Sequence, residues 1–86
     1  VRDLRCFIVV YETRGFARAA KALNLSQSSV SARILKIERE FNGPLFVRLH
    51  RSIVPTAKGE RAYRYAKDVV GRLDEGAKRL RDSEAA

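Results

Sequence analysis

The chain has 86 residues, and Lys+Arg 18 against Asp+Glu 10 give it a formal net charge of +8. That length allows one domain with a modest core, while a hydrophobic fraction of 45% excludes a disordered chain. The lone cysteine, Cys6, excludes an internal disulfide and a cysteine-built metal cluster, no apolar run approaches the roughly 18 residues that span a bilayer, and the positive excess favours a polyanionic partner, nucleic acid ahead of an anionic membrane.

In chain order, Leu4, Phe7, Ile8 and Tyr11 recur at the spacing of an amphipathic helix. Gly15 is expected to end it as a C-cap with positive φ. Phe16, Ala19, Ala20 and Leu23 repeat the spacing over a second, short helix, which Asn24 stops because Asn tolerates the left-handed conformation. The stretch NLSQSSVSARI, residues 24–34, has the composition of a linker, yet Val30, Ile34, Ile37 and Phe41 run through and beyond it as one helical stripe. Ser26 is a favoured N-cap for that third helix, and Asn42-Gly43-Pro44 is a strong stop. LFVRLHRSIVPT, residues 45–56, alternates apolar and basic residues about His50-Arg51 and reads as two short strands joined by a tight turn. Pro55 closes that ribbon and Thr56 can cap a final helix over residues 57–81. There Ala62, Ala66, Val69, Leu73 and Leu80 follow a near 3.5-residue repeat, with Gly76 where an apolar residue belongs. Gly71 and Gly76 each cost about 1 kcal/mol relative to Ala, so this helix is expected to lean on a partner.

The second and third helices, joined by only a few residues, make a helix-turn-helix, whose second helix enters the DNA major groove by its N-terminal end. On a helical wheel Val30, Ile34, Ile37 and Phe41 occupy an arc of about 60°. Ser28, Ala32, Lys36 and Arg39 centre the opposite side, with Ser29 and Arg33 on one shoulder and Gln27 and Ser31 on the other. Gln pairs bidentately with adenine, Arg with guanine O6/N7, Ser with either phosphate or base edge, and Ala leaves room for a thymine methyl. The basic hairpin is a wing, able to place arginines at the adjacent minor groove. The candidate DNA-binding set is therefore Ser26, Gln27, Ser28, Ser29, Ser31, Ala32, Arg33 and Lys36 on the helix, with Arg48 and Arg51 on the wing. Plainer roles stand beside these: Ser26 as a cap only, any one serine as merely solvated, Arg48 in an ion pair with Glu38. His50 has no second histidine to share a metal, and Cys6 fits a small buried apolar position.

The fold class is mainly α: a winged helix-turn-helix of three helices and a two-stranded wing over residues 1–56, then a linker or dimerisation helix over 57–86. Ala62, Ala66, Val69, Leu73 and Leu80 are the candidate dimerisation residues. No enzyme is expected, since Glu38 and Glu40 point to different sides of one helix and no nucleophile–base set or phosphate loop occurs. A rival reading, a protein-interaction module using the same body as a dimerisation platform, sits poorly with the net charge.

FARAAKALNLSQSSVSARILKIEREFNGPLFVRLHRSIVPTAKGE, residues 16–60, closely resembles the N-terminal winged helix-turn-helix of LysR-type transcriptional regulators, and the resemblance runs from about Leu4 to the chain's end. Its specific parts are Phe16, Ala19-Ala20, Leu23, Ser26-Gln27, Ser31, Ile34, Glu38, Pro44-Leu45-Phe46, Arg48, Thr56 and Gly59. The resemblance implies a bacterial, cytoplasmic regulator that binds duplex DNA as a homodimer through the linker helix, often as a tetramer when full-length. It implies groove contacts at Gln27, Ser28, Ser29, Ser31, Ala32 and Arg33 and wing contacts at Arg48 and Arg51. It also implies a separate C-terminal domain for a small-molecule effector. That domain is absent from this sequence, which starts at Val1 without a methionine; a fragment of a longer protein is expected, with no cofactor of its own. Two departures stand out. Ala17 replaces the family's usual Ser or Thr, expected to cap the second helix. Ala32-Arg33 moves the family's arginine one place along, about 100° round the helix.

Overall fold

The computed structural model describes residues 1–85; Ala86, the last residue of the expected linker unit, lies outside the described residues. The chain has four helices, α1 Arg2–Thr13, α2 Phe16–Leu23, α3 Gln27–Glu40 and α4 Ala57–Ala85, and between α3 and α4 a two-stranded sheet of β1 Phe46–Arg48 and β2 Ile53–Pro55. The strands are antiparallel, pairing Phe46 with Pro55, Val47 with Val54 and Arg48 with Ile53. This is the expected winged helix-turn-helix followed by a long helix, and α4 runs beyond the expected residue 81.

The helix ends show where local sequence rules decide and where they do not. Asn24 takes the left-handed conformation at φ 56, and the Leu25 N–H donates to the Ala20 carbonyl at 2.9 Å. Asn42 does the same at φ 60, with the Gly43 N–H donating to Glu38 O at 3.0 Å. Both turns satisfy carbonyls that a helix end would otherwise leave bare. The end of α1 differs from expectation. Arg14, not Gly15, takes the left-handed conformation at φ 58, and its guanidinium carbon lies 4.8 Å over the Tyr11 ring centroid. Gly15 is extended and serves as the N-cap of α2. Ala17 consequently lies inside the first turn of α2, so the capping position expected there is two residues earlier.

The core joins α1 through Cys6, Phe7 and Val10, α2 through Phe16, Ala19 and Ala20, and α3 through Val30, Ile34 and Ile37. On α1 the buried stripe is rotated from the expected one: Leu4, Ile8 and Tyr11 are only partly buried. Phe46 anchors the wing, its ring centroid 5.5 Å from that of Phe7 and 6.3 Å from that of Phe16. Each large side chain fully buried here, such as Phe7, Ile37 or Leu45, contributes about 1.5–3 kcal/mol by leaving water.

The first turns of α4 complete this core rather than follow it. Ala62, Ala66 and Val70 are buried, Tyr63 stacks on Tyr11 with centroids 3.8 Å apart, and the Tyr63 hydroxyl donates to Glu12 at 2.6 Å. Thr56 caps the helix, its Oγ1 accepting from the Gly59 N–H at 2.9 Å. Gly59 is buried, and a Cβ there would collide with the Leu45 carbonyl oxygen, so only glycine lets α4 lie this close to the wing's root. Packing therefore makes no break at residue 56. It also corrects the dimerisation set: Ala62 and Ala66 face the chain's own core, whereas Leu73 and Leu80 are 46% and 70% exposed and Val69 is half-buried.

Candidate nucleic-acid interface

The interface is built outward from the turn between α2 and α3. Ser26 sits in extended backbone ahead of α3, and its Oγ accepts from the Ser29 N–H at 3.1 Å. The same hydroxyl donates to Ser29 Oγ at 2.8 Å, so the cap engages its proton as well as a lone pair. Ser26 thus anchors the start of the helix, as expected of a cap. Gln27 and Ser28 are exposed in the first turn, and Ser29 and Ser31 are half-buried on either flank. Val30, Ile34 and Ile37 hold the opposite face in the core, which fixes the rotation of the polar side.

The first arginine of α3, Arg33, does not stand on the outward arc. Arg33 lies toward α1, where its NH1 approaches Asp3 Oδ1 to 4.0 Å, and its side chain is only 23% exposed. Lys36 reaches the same carboxylate at 3.3 Å but stays 65% exposed. Between Ser28 and Arg39 the outward side carries exposed Ala32 and Leu35 beside the exposed Lys36. The sequence pattern does not single out Leu35, because the wheel positions Lys36 and Arg39 look like the polar face and hide it.

The wing stands beside this helix. The Leu49 N–H donates to Ser52 O at 2.8 Å, leaving His50-Arg51 as the exposed tip. The Arg48 guanidinium carbon is 4.6 Å from the Phe16 ring centroid, a cation–π contact. It holds the arginine against the helix pair. The ion pair considered for Arg48 and Glu38 is not formed; Glu38 Oε2 instead accepts from the Leu45 N–H at 2.8 Å and fixes the chain's entry into the wing. A groove of ≈ 290 Å³ runs between these parts, its walls including Arg18, Gln27, Arg48 and Arg51. Arg18 is a further basic residue that the sequence pattern does not single out. Its Nε and NH2 donate to the carbonyls of Thr13 and Arg14, both at 2.8 Å, which ties its place at the groove to the end of α1.

Cys6, with 2% exposure, is a core residue whose thiol is pushed up by burial. No group of three or more His, Cys, Asp or Glu side chains that could hold a metal occurs among the described residues. No described helix is long and apolar enough to cross a membrane.

An exposed helix start, a basic wing tip beside it and a buried opposite face define a winged helix-turn-helix of the DNA-binding kind. The sequence pattern of the bacterial regulatory helix-turn-helix proteins of the lysR family matches residues 1–60. The chain belongs to that family, as the DNA-binding domain of a LysR-type transcriptional regulator. It is 40% identical over 81 residues to the transcriptional regulator BudR of Klebsiella aerogenes, covering 94% of this chain and 57% of BudR. It is 38% identical over 84 residues to the transcriptional regulator CzcR of Bacillus cereus, covering 98% of this chain but 29% of CzcR. The chain thus spans 57% of one of these transcriptional regulators and 29% of the other. Among solved structures it resembles the CbnR DNA-binding domain in complex with DNA, with TM-score 0.90, 30% identity, and 96% of this chain and 95% of that one covered. It likewise resembles the BenM DNA-binding domain with catB site 1 DNA, with TM-score 0.93, 28% identity, and coverage of 99% and 94%.

Proposed function

We propose that this chain reads a specific duplex DNA site as a homodimer, with α3 in the major groove and the wing tip at the neighbouring minor groove or backbone. The observation that carries the reading is the shared orientation of two exposed parts. The first turn of α3 and the His50-Arg51 tip border one groove, while the buried side of α3 is held by the core. Gln27 and Ser28 are the best-placed side chains to meet base edges, and Arg18, Arg48 and Arg51 to meet phosphates. Phosphate contacts supply most of the affinity and base contacts the discrimination.

Val69, Leu73 and Leu80 form the dimer seam on α4, and two joined copies read an inverted repeat whose spacing their geometry sets. The full protein, which we take to be longer and cytoplasmic, carries a further domain for a small-molecule effector and assembles dimers into tetramers. The chain itself needs no cofactor.

Titration with duplexes selected from a random pool, and with scrambled ones, at two salt concentrations tests the reading. The expected outcome is a steep fall of affinity with salt and a clear preference for the selected duplex. Gln27→Ala should cost about 1–3 kcal/mol on the selected site and relax one base position. Absence of binding at low salt would leave a protein-interaction module as the better account.

A further inference from the structure

Among the described residues three other than glycine have positive φ, and two of them are the helix-ending asparagines Asn24 and Asn42. The third is Arg14, at φ 58 and ψ 34, a conformation in which a Cβ crowds the following carbonyl oxygen. Gly15 stands next in the chain and could adopt it without that crowding, yet Gly15 is extended at φ -170. What Gly15 supplies is space. A Cβ there would lie 3.1 to 3.3 Å from the guanidinium atoms of Arg18. That guanidinium lies against the turn, its Nε donating to the Thr13 carbonyl and its NH2 to the Arg14 carbonyl, both at 2.8 Å. The strained residue thus presents one of the two acceptors, and the glycine leaves room for the side chain they hold. Arg14 also braces the turn, since its guanidinium covers Tyr11 while Tyr11 stacks on Tyr63 of α4.

From this arrangement we infer that residues 13–15 form a cradle that preorganises Arg18 as a bidentate clamp for one DNA phosphate, with Arg14 and Gly15 as positioning residues. The inference rests on the duplex-DNA reading above and adds to it a task for a turn between helices. The backbone carbonyls occupy the Nε–NH2 edge of the guanidinium, so the NH1–NH2 edge is left for two oxygens of a phosphate. Carbonyls are neutral acceptors and leave the positive charge whole. No carboxylate pairs with Arg18 among the described residues, whereas Arg5 and Arg33 each face an aspartate. Arg18 borders the groove that Gln27, Arg48 and Arg51 also line, which places the clamp on the surface assigned to DNA. Backbone strain persists where surrounding contacts over-determine it, as in sites set before their ligand arrives. An arginine ordered in advance avoids the loss of freedom that a mobile one suffers on binding.

A double-mutant cycle on a single selected half-site, measured at two salt concentrations, separates this from a plain structural role. Arg18→Ala should weaken binding about ten-fold and lower the salt slope by about 0.9, as loss of one charged phosphate contact does. Arg18→Lys keeps the charge but not the fork, so it should keep the slope and still lose affinity. Gly15→Ala displaces the guanidinium and should weaken binding about two- to ten-fold, the effect of ordering one long side chain at the moment of binding. In the Arg18→Ala background the same substitution should weaken it no further. An equal loss from Gly15→Ala in both backgrounds would overturn the inference, as would wild-type binding by Arg18→Lys or Arg18→Ala. Urea unfolding verifies that the variants are folded, and if Gly15→Ala does not fold, the lysine variant still decides. A wild-type chain that binds no duplex at low salt would instead overturn the reading on which the inference rests.

Discussion

The two halves of α4 share one helix and one apolar rhythm but meet different surroundings. In the first half Gly59, Ala62, Ala66 and Val70 are buried against the chain's own core, with Tyr63 stacked on Tyr11. In the second half Leu73 and Leu80 are exposed, and Leu73, Gly76, Ala77 and Leu80 line an open, largely apolar groove. Arg5 on α1 fastens the junction, its NH2 donating to Asp74 Oδ1 at 2.6 Å. Periodicity shows that a helix has an apolar face. It does not show whether that face belongs to this chain or to another.

The sharpest way to break the contrast is to place the same methyl group on each half. Gly59→Ala drives a Cβ into the Leu45 carbonyl oxygen and should destabilise the domain by about 3 kcal/mol, as overpacking against rigid backbone does. Gly76→Ala meets nothing within 4 Å and should stabilise the helix by up to about 1 kcal/mol. Urea unfolding of the two variants measures both, and equal effects would dissolve the distinction between the halves.

Next in size is Leu73→Asp. Its side chain is exposed in the single chain, so unfolding should change little, yet sedimentation should show loss of the proposed dimer. Affinity for a two-half-site duplex should then fall by about a hundred-fold, the lower range of what linking two sites confers, while a single half-site binds as before. A smaller effect is expected from Asp3→Asn, which frees Arg33 and Lys36 from their shared carboxylate. If each reaches a phosphate, the plot of log affinity against log salt steepens by about 0.9 per contact. The gain should appear on selected and scrambled duplexes alike, lowering their ratio. Unchanged slopes would mean the Asp3 contacts do not restrain these cations.

The smallest effect concerns pH. The Asp74 carboxyl is held below its ordinary range, chiefly by its hydrogen bond from Arg5. Its contribution to stability is thus complete above the usual carboxylate pKa and fades as pH falls through the lowered value. Both side chains are about half exposed, so the contribution is slight. Unfolding midpoints across the acid range should converge for the wild type and Asp74→Asn as pH drops, and differ modestly at neutral pH.

Much of the interface is legible in the order of the residues alone. Ser26 and Thr56 cap their helices, and Asn24 and Asn42 turn the chain, because these side chains and backbone preferences act over a few residues. The stripe of Val30, Ile34 and Ile37 likewise fixes which side of α3 faces out. Other features are hidden because they depend on particular side-chain contacts, in two of three cases with a neighbour from another element. Gly15 looks like the left-handed residue, but Arg14 takes that conformation, with its guanidinium over Tyr11. Arg48 looks like a partner for Glu38, yet the two are engaged by Phe16 and the Leu45 N–H respectively. Arg33 looks like a base reader and faces Asp3, near the start of the chain.

The sequence by itself determined the helix-turn-helix, its caps and turns, the wing, the basic charge and the family, since all of these follow from local backbone preference, periodicity and composition. Only the tertiary structure decided that α4 begins inside the core, that Ala62 and Ala66 are not free for a partner, and that Arg33 turns toward Asp3 while Leu35 stays exposed. These depend on which elements pack together and at what rotation. Contacts between residues distant in the chain set that rotation, and no spacing of residues encodes it.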